Sequence, residues 1–259
     1  PPTRLPVVGE ALAGHPHLGA VPPGAAVRIT TGGLIPNGAD VVVMQEDCLI
    51  GPDQGEIEIN PESAARIRLG ENIRRRGEDV QAGTVLLAGG QRLRPQDVAL
   101  AAGQGIATLR VLRRLRVAVA STGDELYEPG MALPPGAIYE SNRYALIGLL
   151  RRWGCAVTDL GIVRDDREAM LTTFSAAAAA HDVLLTSGGV SVGTADWVKA
   201  VIAELGNIEF WRLAIKPGKP VALGRIQDCL VVGLPGNPVS VLVTLLLFAR
   251  PLLLARMGA

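Results

Sequence analysis

Aromatic residues make up only 3% of this 259-residue chain, and its 25 basic side chains are matched by 25 acidic ones. Stacking platforms and a broad basic face are what a nucleic-acid surface needs, so no nucleic-acid partner is expected. Cysteine is scarce too: Cys48, Cys155 and Cys229 are odd in number, widely spaced and never in a CxxC pair. That pattern points away from a disulfide framework or a zinc site and predicts isolated buried thiols in a reducing cytoplasm. His15 and His17 lie in a Pro/Gly-rich loop and His181 precedes a strand, positions that do not suggest metal ligands. No apolar run reads as long enough to span a bilayer, because 239–249 is followed by Arg250 and Pro251. The chain opens Pro1-Pro2-Thr3, with neither a basic start nor an apolar signal region. A soluble, unexported, cytoplasmic protein with no membrane contact is the expectation, and the missing initial Met suggests a piece of a longer polypeptide.

Glycine and proline are plentiful, and the way they punctuate the chain changes near residue 112. Before that point, short β-type runs at 26–29, 41–45, 57–59 and 84–87 predict a small antiparallel or barrel-like β unit. A helix is expected over 95–103. After Arg113 the rhythm becomes strand, loop, helix: strands at 115–120, 156–163, 183–186 and 230–234, with helices at 142–153, 167–180, 195–205 and 239–254. Alternation with short loops implies an α/β, doubly wound parallel sheet. The expected organisation is a β-rich domain over 1–90, a helical connection over 91–112 and an α/β domain over 113–259.

Three glycine loops interrupt or follow apolar runs in the last third: Ser187-Gly188-Gly189-Val190-Ser191-Val192-Gly193, Lys216-Pro217-Gly218-Lys219-Pro220 and Gly233-Leu234-Pro235-Gly236-Asn237-Pro238. Each looks like a strand feeding a tight turn at the carboxyl edge of a parallel sheet, where ligands bind. In the third, Asn237 suits an N-cap and Pro238 the first helical position, so the helix would aim unpaired N–H groups and its positive dipole end at an anion.

The polar residues that could carry chemistry sit on the same edge. Ser121-Thr122-Gly123-Asp124-Glu125 follows the first strand of the α/β part, Asp165 and Asp166 follow the strand at 156–163, and Asp196 lies just beyond Gly193. Any one of these acids could be a cap or a solvated charge. Together, beside phosphate-type loops, they suggest a cation, for which Mg2+ is the usual choice. Arg212, Lys216 and Lys219 supply opposite charge. Gly188 to Gly193 lacks the Gly-Lys-Ser/Thr of a P-loop, no GxGxxG follows the first strand, and Ser187 and Ser191 lack a paired histidine for a serine-hydrolase triad.

Further ordered motifs accompany these loops: Thr30-Thr31-Gly32, Gly38-Ala39-Asp40 with the apolar run after it, Asn72-Ile73-Arg74-Arg75-Arg76-Gly77-Glu78-Asp79 and Ile138-Tyr139-Glu140-Ser141-Asn142-Arg143. The set resembles the MoeA-type molybdopterin molybdenumtransferase family, which includes the E domain of gephyrin. The resemblance implies an enzyme that binds adenylylated molybdopterin and molybdate, inserts the metal into the dithiolene and releases AMP, with Mg2+ assisting. It also implies a homodimer whose cleft is shared between subunits, with other molybdenum cofactor biosynthesis proteins as further partners. Carried over, the family's acids match Asp79, Glu125, Asp165 and Asp196 as catalytic residues, the last three also as metal ligands. Substrate-binding positions match Thr31, Ser121, Thr122, Ser187, Gly188, Gly189, Ser191, Arg212, Lys216, Lys219, Pro235, Gly236, Asn237 and Pro238. Arg212 stands where the family commonly has lysine, and Glu140 where aspartate is usual. The family's N-terminal Asp-Gly-Tyr-Ala segment and its C-terminal domain are not in this sequence. A gephyrin-like scaffold module and a nucleotide-pyrophosphate hydrolase on the same α/β domain are the alternative readings.

Overall fold

The computed structural model describes residues 4–190, 197–217 and 220–259, apart from the side chains of 210–212. The chain divides into two compact units, Pro1–Val85 and Leu86–Ala259.

In the first unit, β1 (Arg4–Ala11), β2 (Ala26–Ile29), β3 (Cys48–Ile50) and β4 (Glu56–Ile59) form one sheet in the order β2-β1-β4-β3. β1 runs parallel to β2 and antiparallel to β4. A single turn of helix, α1 (Pro61–Ala64), is capped by the Asn60 side chain. The sequence reading missed β1, because Pro6 and Gly9 interrupt its alternation of exposed and inward-facing residues. Gly9 is there for contact: a Cβ would lie 2.5 Å from the His17 ring. Two expected strands do not form. At 41–45, Val42 N–H donates to the Glu71 carbonyl and the Val42 carbonyl accepts from Asn72 Nδ2, so a neighbouring loop takes the bonds a ladder would use. At 84–87, Thr84 N–H closes a turn on Gln81 and the boundary between units follows Val85.

The second unit begins with α2 (Pro95–Gly103), where Pro95 takes the first turn and the Asp97 carboxylate accepts from Arg94 N–H at 2.8 Å. There follow β5 (Arg116–Thr122), β6 (Leu126–Tyr127), β7 (Ile138–Tyr139), α3 (Asn142–Arg152), β8 (Ala156–Val163), α4 (Arg167–Ala180), β9 (Val183–Ser187), α5 (Trp197–Leu205), β10 (Asn207–Arg212), β11 (Pro220–Ile226), β12 (Cys229–Leu234) and α6 (Pro238–Arg256). Six strands make one sheet in the order β10-β11-β12-β9-β5-β8. The inner strand β12 and its neighbours β9, β5 and β8 are mutually parallel, as expected of a doubly wound sheet. β10, the strand feeding the Lys216 loop, and β11 add an antiparallel edge.

Strand periodicity feeds two cores. Val117 and Val119 of β5 face Leu146 and Leu150 of α3 and Val241 and Leu245 of α6. Ala118 and Ala120 face the other way, toward Met170 and Phe174 of α4 and Val198 and Ile202 of α5. Helices therefore cover both faces, and truncating a fully buried side chain such as Phe174 to Ala should cost about 3–5 kcal/mol. Cys155 and Cys229 are buried thiols, each pushed up to about 11 by desolvation, whereas Cys48 is only half-buried.

α6 corrects the expectation that Arg250 and Pro251 end the last apolar segment. It runs unbroken for 19 residues and is long and apolar enough to cross a membrane. The helix passes Pro251 by widening to π geometry over Leu245–Ala249, just where a proline would otherwise leave the preceding turn's carbonyl unpaired. Its apolarity is accounted for on one side by packing: Val241, Leu245, Ala249 and Leu253, four residues apart, are all buried in the core.

Candidate functional site at the carboxyl edge of the parallel strands

The parallel strands occur in the chain as β5, β8, β9, β12 but lie in space as β12-β9-β5-β8. The chain steps outward from β5 to β8, then crosses back to β9 on the other side. The winding thus reverses between β5 and β9, and such a switch point opens a crevice beyond the carboxyl ends. Those ends are level: Ser187 pairs with both Ser121 and Leu234, and Thr122 pairs with Val163.

Ser121, Thr122, Thr186 and Ser187 are all buried at this edge, and the Thr122 and Thr186 hydroxyls have no hydrogen-bond partner among the described residues. An unpaired buried hydroxyl costs about 1–3 kcal/mol unless something supplies the bond. The glycines beside them are required twice over. Gly188 and Gly189 have φ of +92° and +67°, and a Cβ on Gly189 would lie 2.7 Å from Thr122 Oγ1.

Three carboxylates gather next to the same strand ends. Asp165 N–H donates to Asp124 Oδ1 at 3.3 Å, and Asp165 Oδ1 is buried without a partner among the described residues. Burial first, then the charges of Asp124 and Glu125, push the Asp165 carboxyl above its ordinary range. The Glu125 carboxylate folds back over Gly123, 2.6 Å from where a Cβ would sit. Asp166 is different: its side chain accepts from Ala169 N–H at 2.8 Å and is the N-cap of α4. Among the described residues no three acids, histidines or cysteines converge as a ready metal cage. Asp196, expected as the third ligand, lies outside the described residues, as do Ser191 and Lys219.

The last glycine loop partly departs from expectation. Asn237 does cap α6, accepting from Val239 and Ser240 N–H at 3.0 and 3.2 Å. Pro238 has no N–H, and Val241 N–H already bonds the Asn237 carbonyl at 2.9 Å. The first turn therefore offers its dipole to an anion, with its amides spoken for. Pro235 is buried and accepts from Ser187 Oγ at 3.4 Å, while Gly236 is exposed. Lys216 is exposed, and Arg212 ends β10 opposite Pro220 of β11. Thr31 and Asp79 belong to the first unit; both are exposed, with Asp79 Oδ2 3.2 Å from Arg74 Nη1.

Sequence reasoning gave no role to the start of α3, which proves central. Glu140, only 2% exposed, accepts from Ser121 Oγ at 3.0 Å and from Arg143 N–H at 2.9 Å. The buried Arg143 guanidinium bonds Asp159 on β8 and Glu128. Asn142 Nδ2 donates to Ser187 Oγ at 2.9 Å and to the Gly236 carbonyl at 2.8 Å. An acid three residues before an arginine at a loop-to-helix junction was the available signal.

Two family models match this chain: the MoeA N-terminal region (domain I and II) over residues 3–105, and a probable molybdopterin binding domain over residues 118–255. The chain belongs to the MoeA family. The molybdopterin-binding match takes in β5 through most of α6, so Thr122, Glu125, Asn142, Asp165 and Ser187 all fall inside it. A molybdopterin molybdenumtransferase of Haemophilus influenzae is 44% identical over 254 residues, covering 98% of this chain and 62% of that protein. Molybdopterin molybdenumtransferase 2 of Mycobacterium tuberculosis is 40% identical over 263 residues, covering 99% and 64%. Among solved structures, a molybdopterin biosynthesis moea protein from Pyrococcus horikosii aligns with a TM-score of 0.80 at 37% identity, covering 99% of this chain and 63% of that one. The chain thus spans less than two thirds of the length of these MoeA relatives.

Proposed function

We propose that this carboxyl edge binds adenylylated molybdopterin and molybdate, and that the protein acts in molybdenum cofactor biosynthesis as a transferase, inserting molybdenum and releasing AMP. The observation that carries the reading is the partly buried Asp165 carboxylate beside Asp124 and Glu125, whose Oδ1, like the nearby Thr122 and Thr186 hydroxyls, has no partner among the described residues, next to a glycine turn at the switch point. Names borne by relatives supply the substrate class.

Within this reading the residues divide by charge. Thr122, Ser187 and the Gly188-Gly189 turn receive the pterin and its phosphates, which can approach closely because those glycines lack side chains. Lys216, with Arg212 and Lys219, neutralises phosphate or molybdate. Glu125 and Asp165, joined by Asp196, would hold Mg2+, and the donor set fits: oxygen ligands, excess negative charge and an orphaned carboxylate oxygen. When bound, Mg2+ would offset the acids' repulsion and polarise a phosphate oxygen. Thr31 and Asp79 enter through a homodimer, and a cytoplasmic setting belongs to the same reading.

The test is incubation with adenylylated molybdopterin and Mg2+, with and without molybdate, measuring AMP and metallated cofactor. Molybdate-dependent release of AMP together with metallated product is expected. AMP release indifferent to molybdate, or no release at all, would overturn the assignment.

A further inference from the structure

One short segment at the start of α3 reaches all four parallel strands. Glu140 holds Ser121 at the end of β5, Arg143 holds Asp159 on β8, and Asn142 holds Ser187 at the end of β9 and Gly236 in the loop after β12. The Ser141 side chain, the residue in the N-cap position, makes no cap bond; the Glu140 carboxylate takes Arg143 N–H instead. Asn142 is thereby left to act outward from the helix.

Its amide has two N–H donors, and both are committed: one to the Ser187 hydroxyl, one to the Gly236 carbonyl. Ser187 passes the bond on, donating to the Pro235 carbonyl at 3.4 Å. The end of β9 and the loop leading into α6 are thus bridged twice, once through Asn142 and once through the Ser187 hydroxyl. Gly236 has no Cβ to restrict its peptide planes, so local sterics do not fix where its carbonyl points. The Asn142 amide does.

We propose that Asn142 is a positioning residue for ligand binding at this edge, setting the separation of the Ser187–Gly189 turn and the Pro235–Asn237 turn so that both engage one ligand. This inference rests on the function proposed above. It assigns a role to a residue that touches the two loops rather than the reacting atoms.

The test compares the wild-type chain with Asn142→Asp, which keeps the shape and removes both donors, and Asn142→Ala. Amide hydrogen exchange and fluorescence titration with molybdopterin are measured in parallel. Losing two hydrogen bonds should speed exchange at Gly188, whose N–H bonds the Leu234 carbonyl, by about tenfold, and weaken molybdopterin affinity by a similar factor. Amides at the other end of the sheet, such as Leu230, should keep the wild-type rate. Wild-type exchange at Gly188 in both variants would overturn the proposal, and so would acceleration shared equally by Leu230, which would mark a general loss of stability. Should the wild-type chain bind no molybdopterin, the function proposed above fails, while the exchange comparison still decides whether Asn142 braces the loops.

Discussion

At the amino ends of the parallel strands Asp182 accepts from both terminal guanidinium nitrogens of Arg113, at 2.6 and 2.7 Å, and from Arg116 N–H and Nη2, at 2.8 and 3.1 Å. At the carboxyl ends Asp165 has one oxygen with no partner among the described residues and two acids for neighbours. The two aspartates sit at loop–strand junctions of one sheet, yet their environments push their carboxyls in opposite directions: Asp182 well below the ordinary range, chiefly through its bonds to Arg113, and Asp165 above it, chiefly through burial. One end uses charge to hold the fold together. The other leaves charge uncompensated, and uncompensated charge in a cleft is what a ligand can complete.

The largest effect expected is on chemistry at the carboxyl end. Glu125→Gln or Asp165→Asn should lower turnover by tenfold to a thousandfold, about 1.4 to 4 kcal/mol of barrier, if these acids act in the transition state. The thermal midpoint of Asp165→Asn should stay level or rise, since the substitution removes a desolvated like charge. Unchanged turnover in well-folded variants would make these acids mere surface charge and erase the contrast between the ends.

Asp182→Asn should do the reverse. Stability should fall by about 1.5–3 kcal/mol, the range for hydrogen bonds to a charged group, while turnover per folded molecule holds. Denaturant titration against pH sharpens the comparison. Because the folded-state value of Asp182 is lowered, its contribution is present above the ordinary carboxylate range and disappears as pH falls. The wild type should therefore lead Asp182→Asn at neutral pH and lose the lead in acid. For Asp165 the folded-state value is raised, so its ionisation costs stability as pH climbs through that value. Asp165→Asn should therefore gain on the wild type as pH climbs. Gaps of the same sign for both variants would refute the assignment of opposite environments.

The smallest effect belongs to the exposed cation. Lys216→Met keeps the apolar stem and removes the charge, so affinity for the adenylylated cofactor should drop several-fold, and the drop should shrink at high salt. Calorimetric titration giving equal affinities would remove Lys216 from the site.

Local pattern alone marked α2, β8 and α4 to the residue, because each has its own stop and start chemistry: Pro95 at the head of α2, a cap at Asp166, and Gly154 closing the preceding loop. It marked the Asn237-Pro238 start of α6 for the same reason. The placing of these loops at one edge was legible too, since loops that follow parallel strands must emerge on one side. What sequence could not supply was pairing. β11 is a strand because β12 offers it an edge and β10 because β11 does, and 41–45 is not one because Glu71 and Asn72 reach its backbone first. Asp166 is legible as the cap beside Arg167, whereas the burial of its neighbour Asp165, next to Asp124 from forty-one residues away, is decided by folding. Residue types, periodicity and caps are local properties and can be read in order along the chain. Which buried polar group finds a partner depends on segments brought together only by folding, so the tertiary structure alone decided that the start of α3 would tie the strand ends and that Asp165 Oδ1 and the Thr122 and Thr186 hydroxyls would have no partner among the described residues.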